Sequence, residues 1–278
     1  MAVTRGSYKV LTPVSVADMD WNHMDPHHRE HVHRTYGNSL RICTGADFQL
    51  SLTKYGRWPL LLPVIDVRVA PGLFYQCVSV FSLVTLLSVI RSVDTREGTA
   101  HSIDWYIVSK SVWKFLHPWL NRRMERLNRT QNAEDDPVRL RRLELRRKGF
   151  SFKSDQPDFL VSSSLLRNTM PPKLERESIV ALGAPSAADA LRKFTVERLD
   201  FLYLRESGDA VKIWPAVCPH EGGPLEQAVA RTSDGRLKCP WHGLEFPCVE
   251  LTRENPEGQC QGARIRFEKD SLAISPTG

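Results

Sequence analysis

The chain has 278 residues, and 38 Lys and Arg against 32 Asp and Glu give it a formal net charge of +6. Hydrophobic residues make up 41% and charged residues 25%, a balance that excludes disorder over most of the chain. Histidine and cysteine are unevenly distributed. Five of the nine His lie between His23 and His33, and two more lie with two of the six Cys between Cys218 and His242. Clusters of this kind are typical of metal sites.

The N-terminal residues, Met1 to Asp20, contain neither the apolar run nor the small-residue cleavage pattern of a secretory signal. Six Cys are too few for a disulfide scaffold in a chain of this length, so a cytoplasmic location is expected. The uncharged stretch from Gly72 to Ile90 is long enough to span a membrane. Its polar residues and its Val and Phe content fit two buried β-strands better, so no stable membrane span is expected.

The region from about Ser39 to Ser109 has the composition of β-strands separated by Gly, Pro or charged clusters. The predicted strands are Ser39–Leu52, Leu60–Val69, Phe74–Phe81, Leu83–Ser92 and Thr99–Val108.

The pattern becomes helical from about Ser111. Apolar residues recur at helical spacing over Val112–Asn128, where Pro118 is expected to bend the helix. A second helix is predicted over Glu134–Lys148, because acids at its start and bases at its end complement the helix dipole. Gly149 is expected to end it.

The stretch from Phe150 to about Glu177 is rich in Pro and Ser and is predicted to be a connector. Short β-like segments with Gly and Pro turns follow from Ser178 to the end. The sequence therefore predicts two domains, residues 1–175 and residues 176–278, and shows no internal repeat.

Two short motifs near the C-terminus combine Cys with His. Cys218-Pro219-His220 is followed, after 18 residues, by Cys239-Pro240-Trp241-His242. Two Cys can bind one iron of a [2Fe–2S] cluster while two His bind the other, and His ligands raise the reduction potential. A structural zinc site is the alternative, since Zn²⁺ accepts the same four ligands. The spacing is unlike that of zinc fingers, which pair Cys with Cys and His with His.

The sequences around these motifs, residues 218–225 and 239–246, resemble the two cluster-binding loops of Rieske iron–sulfur domains. The resemblance implies that Cys218, His220, Cys239 and His242 bind a [2Fe–2S] cluster. Glu221 departs from the Arg of many oxygenase-type loops. The loop disulfide of respiratory-chain Rieske domains has no equivalent here, so the oxygenase or ferredoxin type is expected.

The His-rich N-terminal segment contains the spacing N-x-x-D-x-x-H-x-x-x-x-H, formed by Asn22, Asp25, His28 and His33. Taken alone, such a segment can be a solvated loop or an adventitious metal binder. This pattern resembles the mononuclear-iron motif of Rieske non-haem iron oxygenases, especially their aromatic O-demethylase branch. The resemblance implies that His28 and His33 bind Fe(II), while Asp25 links a cluster His to an iron-ligand His for electron transfer. Asn22 and Asp25 are accordingly the candidate catalytic residues.

The same resemblance implies a third, carboxylate ligand from the start of a late helix, which would complete a facial triad with open positions for O₂. The matching segment begins at Glu134. Asp135 is the candidate and Asp136 the alternative, and Pro137 would suit a first helical turn.

The resemblance implies an α+β protein with a helix-grip (START/Bet v1-like) catalytic domain and a small all-β Rieske domain. Family members place the Rieske domain first, whereas here the catalytic motif comes first, so the order is permuted. The family is commonly trimeric, and a homo-oligomer, a trimer, is therefore expected.

The implied function is an oxygenase that hydroxylates or oxidatively dealkylates an apolar or aromatic small molecule in a pocket lined by the strands of residues 60–108. Because the chain has no Gly-rich dinucleotide motif, it requires a ferredoxin or flavin reductase as electron donor. The alternatives are a Rieske electron-transfer protein whose helix-grip domain lacks catalytic iron, and a redox-sensing binder of a hydrophobic molecule.

The run Arg139–Lys148 contains six Lys or Arg in ten residues. It is interpreted either as a solvated helix face or as a docking patch for an acidic ferredoxin. No nucleic-acid-binding module is recognisable, so no nucleic-acid partner is expected.

Overall fold

The computed structural model describes residues 1–25, 28–33, 36–45, 47–55, 61–80, 83–155, 169–183, 191–205, 210–228 and 235–277. These form two compact units. Among the described residues, the first unit comprises those up to Leu143 with Ser154 and Asp155, and the second comprises Glu144–Lys153 and those from Thr169 onward. The domain boundary after residue 175 stays a prediction, and contacts alone assign the segment Glu144–Lys153 to the second unit.

The first unit is built on a seven-stranded antiparallel sheet in the order β1-β7-β6-β5-β4-β3-β2. Its strands are β1 (Ala2–Thr12), β2 (Tyr36–Thr44), β3 (Phe48–Tyr55), β4 (Leu61–Ala70), β5 (Leu73–Val80), β6 (Val84–Thr95) and β7 (Gly98–Ser109). Helices α1 (Val16–Met24) and α2 (Arg29–Val32) connect β1 to β2, and a 3₁₀ turn (Ser111–Leu116) leads into the long helix α3 (His117–Arg147).

This arrangement confirms the predicted helix-grip fold, since a curved meander of strands returns to its first strand and ends in one long helix. A cluster of buried side chains forms the core, namely Met24, Phe74, Val84, Ile90, Ile103, Trp105, Ile107 and Met124. Burial of each large apolar side chain contributes about 1.5–3 kcal/mol.

Two differences from the predicted strands have a clear cause. The stretch predicted as one strand, Ser39–Leu52, forms the end of β2 and most of β3, with a turn between them. Strand β1 was missed because its inward-facing positions mix apolar residues with Thr4, Gly6 and Thr12, while its outward-facing positions include Val3 and Leu11. Gly6 leaves room for the buried Trp105 ring, since a Cβ there would lie 2.3 Å from it.

The two predicted helices are a single helix, α3, of 31 residues. Pro118 is its second residue, where no backbone N–H is required, so the expected bend is wrong. Pro137 lies inside the helix and not in a first turn. The polar stretch that was read as a break between helices, around Asn128 and Asn132, lines an internal cavity instead.

The second unit is all-β apart from the end of α3 and short 3₁₀ turns, as predicted. Its strands are β8 (Ser151–Phe152), β9 (Thr169–Met170), β10 (Ser178–Ala181), β11 (Arg192–Val196), β12 (Leu199–Arg205), β13 (Ala210–Pro215), β14 (Leu237–Lys238), β15 (Glu245–Phe246), β16 (Val249–Thr252), β17 (Glu257–Cys260), β18 (Ala263–Glu268) and β19 (Ser271–Pro276). Two four-stranded antiparallel sheets, β10-β19-β18-β17 and β11-β12-β13-β16, enclose a core that includes Leu199, Phe201, Ile213, Leu251, Ile265 and Ile274.

The described part of the stretch Gly72–Ile90 forms β5 and most of β6, as predicted. Within the described ranges, no helix is both long enough and apolar enough to cross a membrane.

A buried ion pair joins helix α1 to helix α3. Arg142 Nε donates to Asp18 Oδ1 at 2.9 Å, and both side chains are fully buried. The Arg142 guanidinium also donates to Ser154 Oγ at 2.9 Å and lies 4.0 Å from the centre of the Trp21 ring. Because a buried charge is tolerated only when it is paired and hydrogen-bonded, this pair fixes the packing of α1 on α3.

We expect Arg142→Met alone, or Asp18→Asn alone, to lower the free energy of unfolding by about 3–5 kcal/mol, because each change leaves a buried group without its partner. Replacing both, as Asp18→Leu with Arg142→Met, should cost less than the sum of the single changes. Urea denaturation measures these differences. Arg129→Met, which breaks the exposed pair with Glu125, is the control and should have little effect. If the losses in unfolding free energy of the two single variants add up to that of the double variant, the assignment of a coupled pair is contradicted.

Candidate metal centres

His28 and His33 lie at the two ends of the one-turn helix α2. His28 is its N-cap and His33 its C-cap, which explains how two residues five apart converge. His28 Nε2 lies 3.3 Å and His33 Nε2 lies 3.2 Å from the same atom, Asp135 Oδ1. All three side chains are buried. One ligand atom from each residue falls within 4.8 Å of the others, so the three form a group able to hold one metal ion.

Asp135 is oriented by Arg139, one turn further along α3. Arg139 Nη2 donates to Asp135 Oδ2 at 3.0 Å, which leaves Oδ1 facing the two imidazoles. Burial would raise the pKa of Asp135, but the charge of Arg139 and the hydrogen bonds with His28 and His33 hold that pKa well below its usual range. The carboxylate is therefore ionised, as a metal ligand must be.

The outer nitrogens of both imidazoles face carboxylates. His33 Nδ1 is hydrogen-bonded to Glu134 Oε2 at 3.0 Å, and His28 Nδ1 lies 3.7 Å from Asp25 Oδ2. Carboxylates in this position fix the tautomer of a metal-binding His and increase its basicity. Asp25 is buried behind His28, on the imidazole edge opposite the ligand atom.

Asn22 connects the ligand group to Arg139. Its Oδ1 accepts from Arg139 Nε at 3.1 Å and from Nη2 at 2.8 Å, which orients its amide nitrogen. Asn22 Nδ2 then lies 3.3 Å from Asp135 Oδ1 and 3.4 Å from His28 Nε2. Asp136, the alternative ligand, has a side chain that is 40% exposed and lies outside the ligand group.

Two imidazoles and one carboxylate, converging from one side, are the donor set of the facial triad that binds non-haem Fe(II). The outer atoms of the three residues are buried. His33 Nδ1 and Asp135 Oδ2 are hydrogen-bonded, and the Asp25 carboxylate lies 3.7 Å from His28 Nδ1, which fits that group. The residues therefore suit a mononuclear iron or another divalent metal of similar ligand preference.

A cavity of about 60 Å³ adjoins the ligand group. Holding one water requires ~10–15 Å³ by such a measure, so the enclosed part holds a few waters or one polar group of a small molecule, and the cavity opens to solvent beyond it. Helix α3, helix α1 and the strands contribute to its wall, which includes Asn128, Gln131, Asn132, His23, Gln76, Ile90, His101 and Ile103. Of the aromatic residues on the strands, Phe74 and Trp105 are in the core, and Tyr75 and Tyr106 line an outer groove of the sheet. Trp58 and Phe81 lie outside the described residues.

His23 and His101 form a pair of stacked imidazoles in the cavity wall, with ring centres 5.6 Å apart. His101 Nδ1 is hydrogen-bonded to Ser92 Oγ at 3.0 Å. Burial lowers the pKa of His101 to about 3, with a further contribution from Arg139. Burial also lowers the pKa of His23 well below its usual value. Both are therefore neutral at physiological pH.

Of the remaining His in the N-terminal cluster, His31 is exposed and His27 lies outside the described residues.

In the second unit, the two Cys-containing loops share one backbone pattern. Cys218 N donates to Gly223 O at 2.8 Å, and Gly222 N donates to Cys218 O at 2.9 Å. Cys239 makes the same two backbone hydrogen bonds. Cys239 N donates to Leu244 O at 2.8 Å, and Gly243 N donates to Cys239 O at 2.9 Å. Gly222 and Gly243 have φ values of 83° and 65°, which only Gly adopts freely. The sequence similarity of the loops thus corresponds to one turn geometry used twice.

The four predicted cluster ligands come together at these loops. A hydrogen bond from Cys218 lowers the pKa of the Cys239 thiol to about 5, so the two sulfur atoms are neighbours. The His220 and His242 rings lie with centres 4.7 Å apart. Backbone N–H groups of His220 and Glu221 hydrogen-bond to the Cys218 sulfur. Such bonds to cluster sulfurs tune the reduction potential.

The surroundings of the two sulfurs have little spare room. A Cβ at Gly223 would lie 2.7 Å from Cys239 Sγ and 3.1 Å from the Trp241 ring, so only Gly fits there. Strand β9 covers the first loop, where Thr169 N donates to Pro219 O at 3.1 Å and Thr169 Oγ1 donates to His220 O at 3.3 Å. Paired thiolates beside paired imidazoles, in a buried cradle, fit a [2Fe–2S] cluster.

Sequence reasoning missed the residues that orient the ligands. Arg139 could have been found from its position four residues after Asp135, a spacing that pairs Asp with Arg on a helix. It was instead grouped with the basic run Arg139–Lys148. Arg139 and Arg142 are buried, so this run is not one exposed patch, and both interpretations given for it are wrong for these two residues. The role of Glu134 behind His33, and that of His101, had no local signal.

A sequence model of the Rieske [2Fe–2S] domain matches residues 182–263. This part of the chain is therefore a Rieske [2Fe–2S] domain, and it follows the helix-grip unit in the chain, which confirms the predicted order. A Rieske domain supports a [2Fe–2S] cluster and a role in electron transfer. Among curated protein sequences, no match to the chain was found.

Several solved structures resemble parts of the chain. The di-domain aromatase/cyclase BexL from the BE-7585A biosynthetic pathway is 9% identical, covering 49% of this chain and 50% of that chain, with a TM-score of 0.43. Truncated norcoclaurine synthase from Thalictrum flavum is 13% identical, covering 49% and 94%, with a TM-score of 0.41. Zhui aromatase/cyclase from Streptomyces sp. R1128 is 11% identical, covering 52% and 96%, with a TM-score of 0.38. All these scores are below 0.5, so the fold rests on the strand order and helix described above.

We expect Cys218→Ser to abolish binding of the cluster, because Ser cannot replace a thiolate ligand. Two irons and the acid-labile sulfide should be lost from each chain, together with the visible absorption of the cluster. Iron, zinc and sulfide assays measure this. The control is Cys248→Ser, at a half-buried Cys away from the two ligand motifs, which should retain the cluster. Stoichiometric zinc without sulfide in the native protein would contradict the assignment.

The part of the first unit's stability that depends on neutral His23 and His101 should fall as the pH falls from 7 to 5, while the raised pKa values of Asp20 and His28 act in the opposite direction. In the unfolded chain His23 and His101 take up protons near pH 6.5, whereas the folded state keeps them neutral because their pKa values are lowered. Stability is thus fully present above pH 6.5 and is lost below it, by about 2 kcal/mol per buried His at pH 5. Urea titrations across this range measure the loss. In His101→Gln the pH dependence should be weaker, and an unchanged profile in that variant would contradict the explanation.

Proposed function

We propose that this chain, whose C-terminal part is a Rieske [2Fe–2S] domain, is an oxygenase that uses O₂ and externally supplied electrons to hydroxylate or oxidatively dealkylate a small organic molecule. The observation that carries the proposal is the buried convergence of His28 Nε2 and His33 Nε2 on Asp135 Oδ1. A ligand-binding domain without redox chemistry has no use for this donor set beside its cavity.

An Fe(II) ion held by His28, His33 and Asp135 would supply activation of O₂ at its open coordination positions. The chain's own residues prepare that position. Glu134 and Asp25 accept or attract the Nδ1 protons of the imidazoles, so both Nε2 atoms are free to bind metal. Arg139 balances the charge of Asp135 and fixes which oxygen faces the metal.

Besides a metal, an oxygenase requires a site that holds its substrate next to the metal and limits water. The cavity wall supplies this site. Its residues come from α3, which carries Asp135, from the two ends of α2, which carry His28 and His33, and from α1 and strands β5, β6 and β7. Displacement of side chains on these elements would therefore change metal and substrate positions together. This arrangement supports proximity and orientation as the main contribution of the protein.

Electrons enter at the cluster ligands Cys218, His220, Cys239 and His242, supplied by a ferredoxin or flavin reductase. Asp25 is proposed to carry the electron path on the mononuclear side, because its buried carboxylate lies against the outer edge of His28. Assembly as a trimer, which rests on the family resemblance, and a cytoplasmic location, which rests on the small number of Cys, are part of the same proposal.

Metal analysis separates the oxygenase from an electron carrier with an iron-free ligand-binding domain. We expect three irons per chain, two in the cluster and one at the triad, whereas the carrier would contain two. Asp135→Asn should remove one iron and leave the sulfide content unchanged. Asp136→Asn, at the half-exposed neighbour, is the matched control and should keep three. Two irons in the native protein after anaerobic reconstitution would contradict the proposal.

Asp25→Asn tests the role of the residue behind His28. The variant should keep all three irons and a spectroscopically normal cluster, since Asp25 binds neither metal, while product formation stops. Single-turnover assays with chemically reduced cluster measure this step. Undiminished product formation in Asp25→Asn would show that Asp25 is not on the electron path.

A further inference from the structure

The face of α3 that lines the cavity is unusual for a core-facing helix. Such a face normally carries apolar side chains. In the middle of α3 it carries amides instead, at Asn128, Gln131 and Asn132, which lie seven, four and three residues before Asp135, so that all share one side of the helix. This wall of the cavity can form hydrogen bonds, which an apolar substrate would leave unmade.

Most of the buried polar groups nearby already have partners. Asn132 Oδ1 accepts from Arg139 at 2.8 Å, and Asn132 Nδ2 lies 3.4 Å from Tyr8 Oη. Asn121, one heptad before Asn128, accepts from Trp105 Nε1 at 2.8 Å. These amides therefore serve the structure of the unit.

Two cavity-lining atoms are different. Asn128 Nδ2 and His23 Nε2 are buried, and neither has a hydrogen-bond partner among the described residues. The Asn128 side chain belongs to a residue only 7% exposed, so bulk water does not compensate it. Because an unmade hydrogen bond at a buried polar group is destabilising, these atoms mark where a bound molecule supplies the missing partners.

The cations beside the cavity are already neutralised. Arg29 Nη2 lies 3.2 Å from Asp66 Oδ2, and Arg139 Nη2 lies 3.0 Å from Asp135 Oδ2. Neither guanidinium is left to bind a substrate carboxylate. The two apolar residues of the wall, Ile90 and Ile103, provide one hydrophobic surface.

We infer that this cavity binds a small neutral molecule with an amide, lactam or similar adjacent donor and acceptor, and that Asn128 and His23 determine this specificity. The inference rests on the proposed function, because the same cavity adjoins the triad, and it replaces the apolar substrate expected from the strands. The polar group would contact Asn128 and His23, and the rest of the molecule would lie against Ile90 and Ile103.

The test compares three monocyclic probes of similar size: 2-pyridone, a neutral lactam; toluene, which is apolar; and benzoate, an anion. Their binding to the metal-loaded full chain is measured by equilibrium dialysis under anaerobic conditions. We expect 2-pyridone to bind at least about tenfold more tightly than either of the others. Failure of 2-pyridone to bind at millimolar concentration, or equal binding of toluene or benzoate, overturns the inference.

Two variants test which residues cause the preference for 2-pyridone. Asn128→Leu and His23→Phe should each weaken 2-pyridone binding by about tenfold while leaving toluene binding equal or tighter. Asn121→Leu, the same substitution seven residues earlier and outside the cavity, is the matched control and should keep the preference. His23→Phe retains a ring against Phe74 and His101, so it tests the inference if Asn128→Leu does not fold. An unchanged preference in both variants overturns the assignment of these residues.

The iron content of the same samples distinguishes failure of the oxygenase proposal from failure of the inference about the cavity. A 2-pyridone preference in a protein with only two irons would retain the inference about the cavity and reject the oxygenase. Three irons with no preference among the probes would retain the oxygenase and reject the inference.

Discussion

The geometry of the group formed by His28, His33 and Asp135 depends on the buried guanidinium of Arg139. It donates to Asn22 on α1, to Asn132 on its own helix and to Asp135, and each of these three oxygens has a role in the site or its wall. A buried cation is tolerated only if its donors are satisfied. The requirement works in both directions, because satisfying Arg139 also fixes the rotamers of Asn22 and Asp135. The same side chain thus joins two helices and orients one metal ligand.

This constraint explains why α3 does not look like a core helix in the sequence. A helix that packed only against the sheet would present apolar residues along its inner face. Here Arg142 pairs with Asp18, Arg139 pairs with Asp135, and amides occupy the turns before them. The stability of the inner face therefore comes from matched charges and hydrogen bonds in its middle and from apolar residues nearer its start, such as Leu120, Met124 and Leu127. Polar residues that break an expected pattern are a common feature of functional sites.

The parts of the molecule that could be predicted from sequence were those set by short-range patterns. The two Cys–His motifs each lie within a single tight turn, so their spacing alone indicated how Cys218 and Cys239 would be presented. The alternation of apolar residues indicated most strands, and the triad residues came from a family resemblance. Strand β1 and the continuity of α3 could not be predicted in this way. Strand β1 is held by pairing with β7, and the polar middle of α3 is held by partners about 100 residues away in the chain.

The permuted order of the domains is consistent with how each centre is built. Every described ligand and orienting residue of the mononuclear site belongs to the first unit, and all four cluster ligands belong to the second. The buried pairs that fix the triad, including those of Arg139 and Arg142, are likewise internal to the first unit. Since neither centre borrows a ligand across the division, reversing the order of the two units along the chain leaves both ligand sets intact. The order of the units affects only the segment that connects them. In this chain the end of α3, Glu144–Arg147, belongs to the second unit.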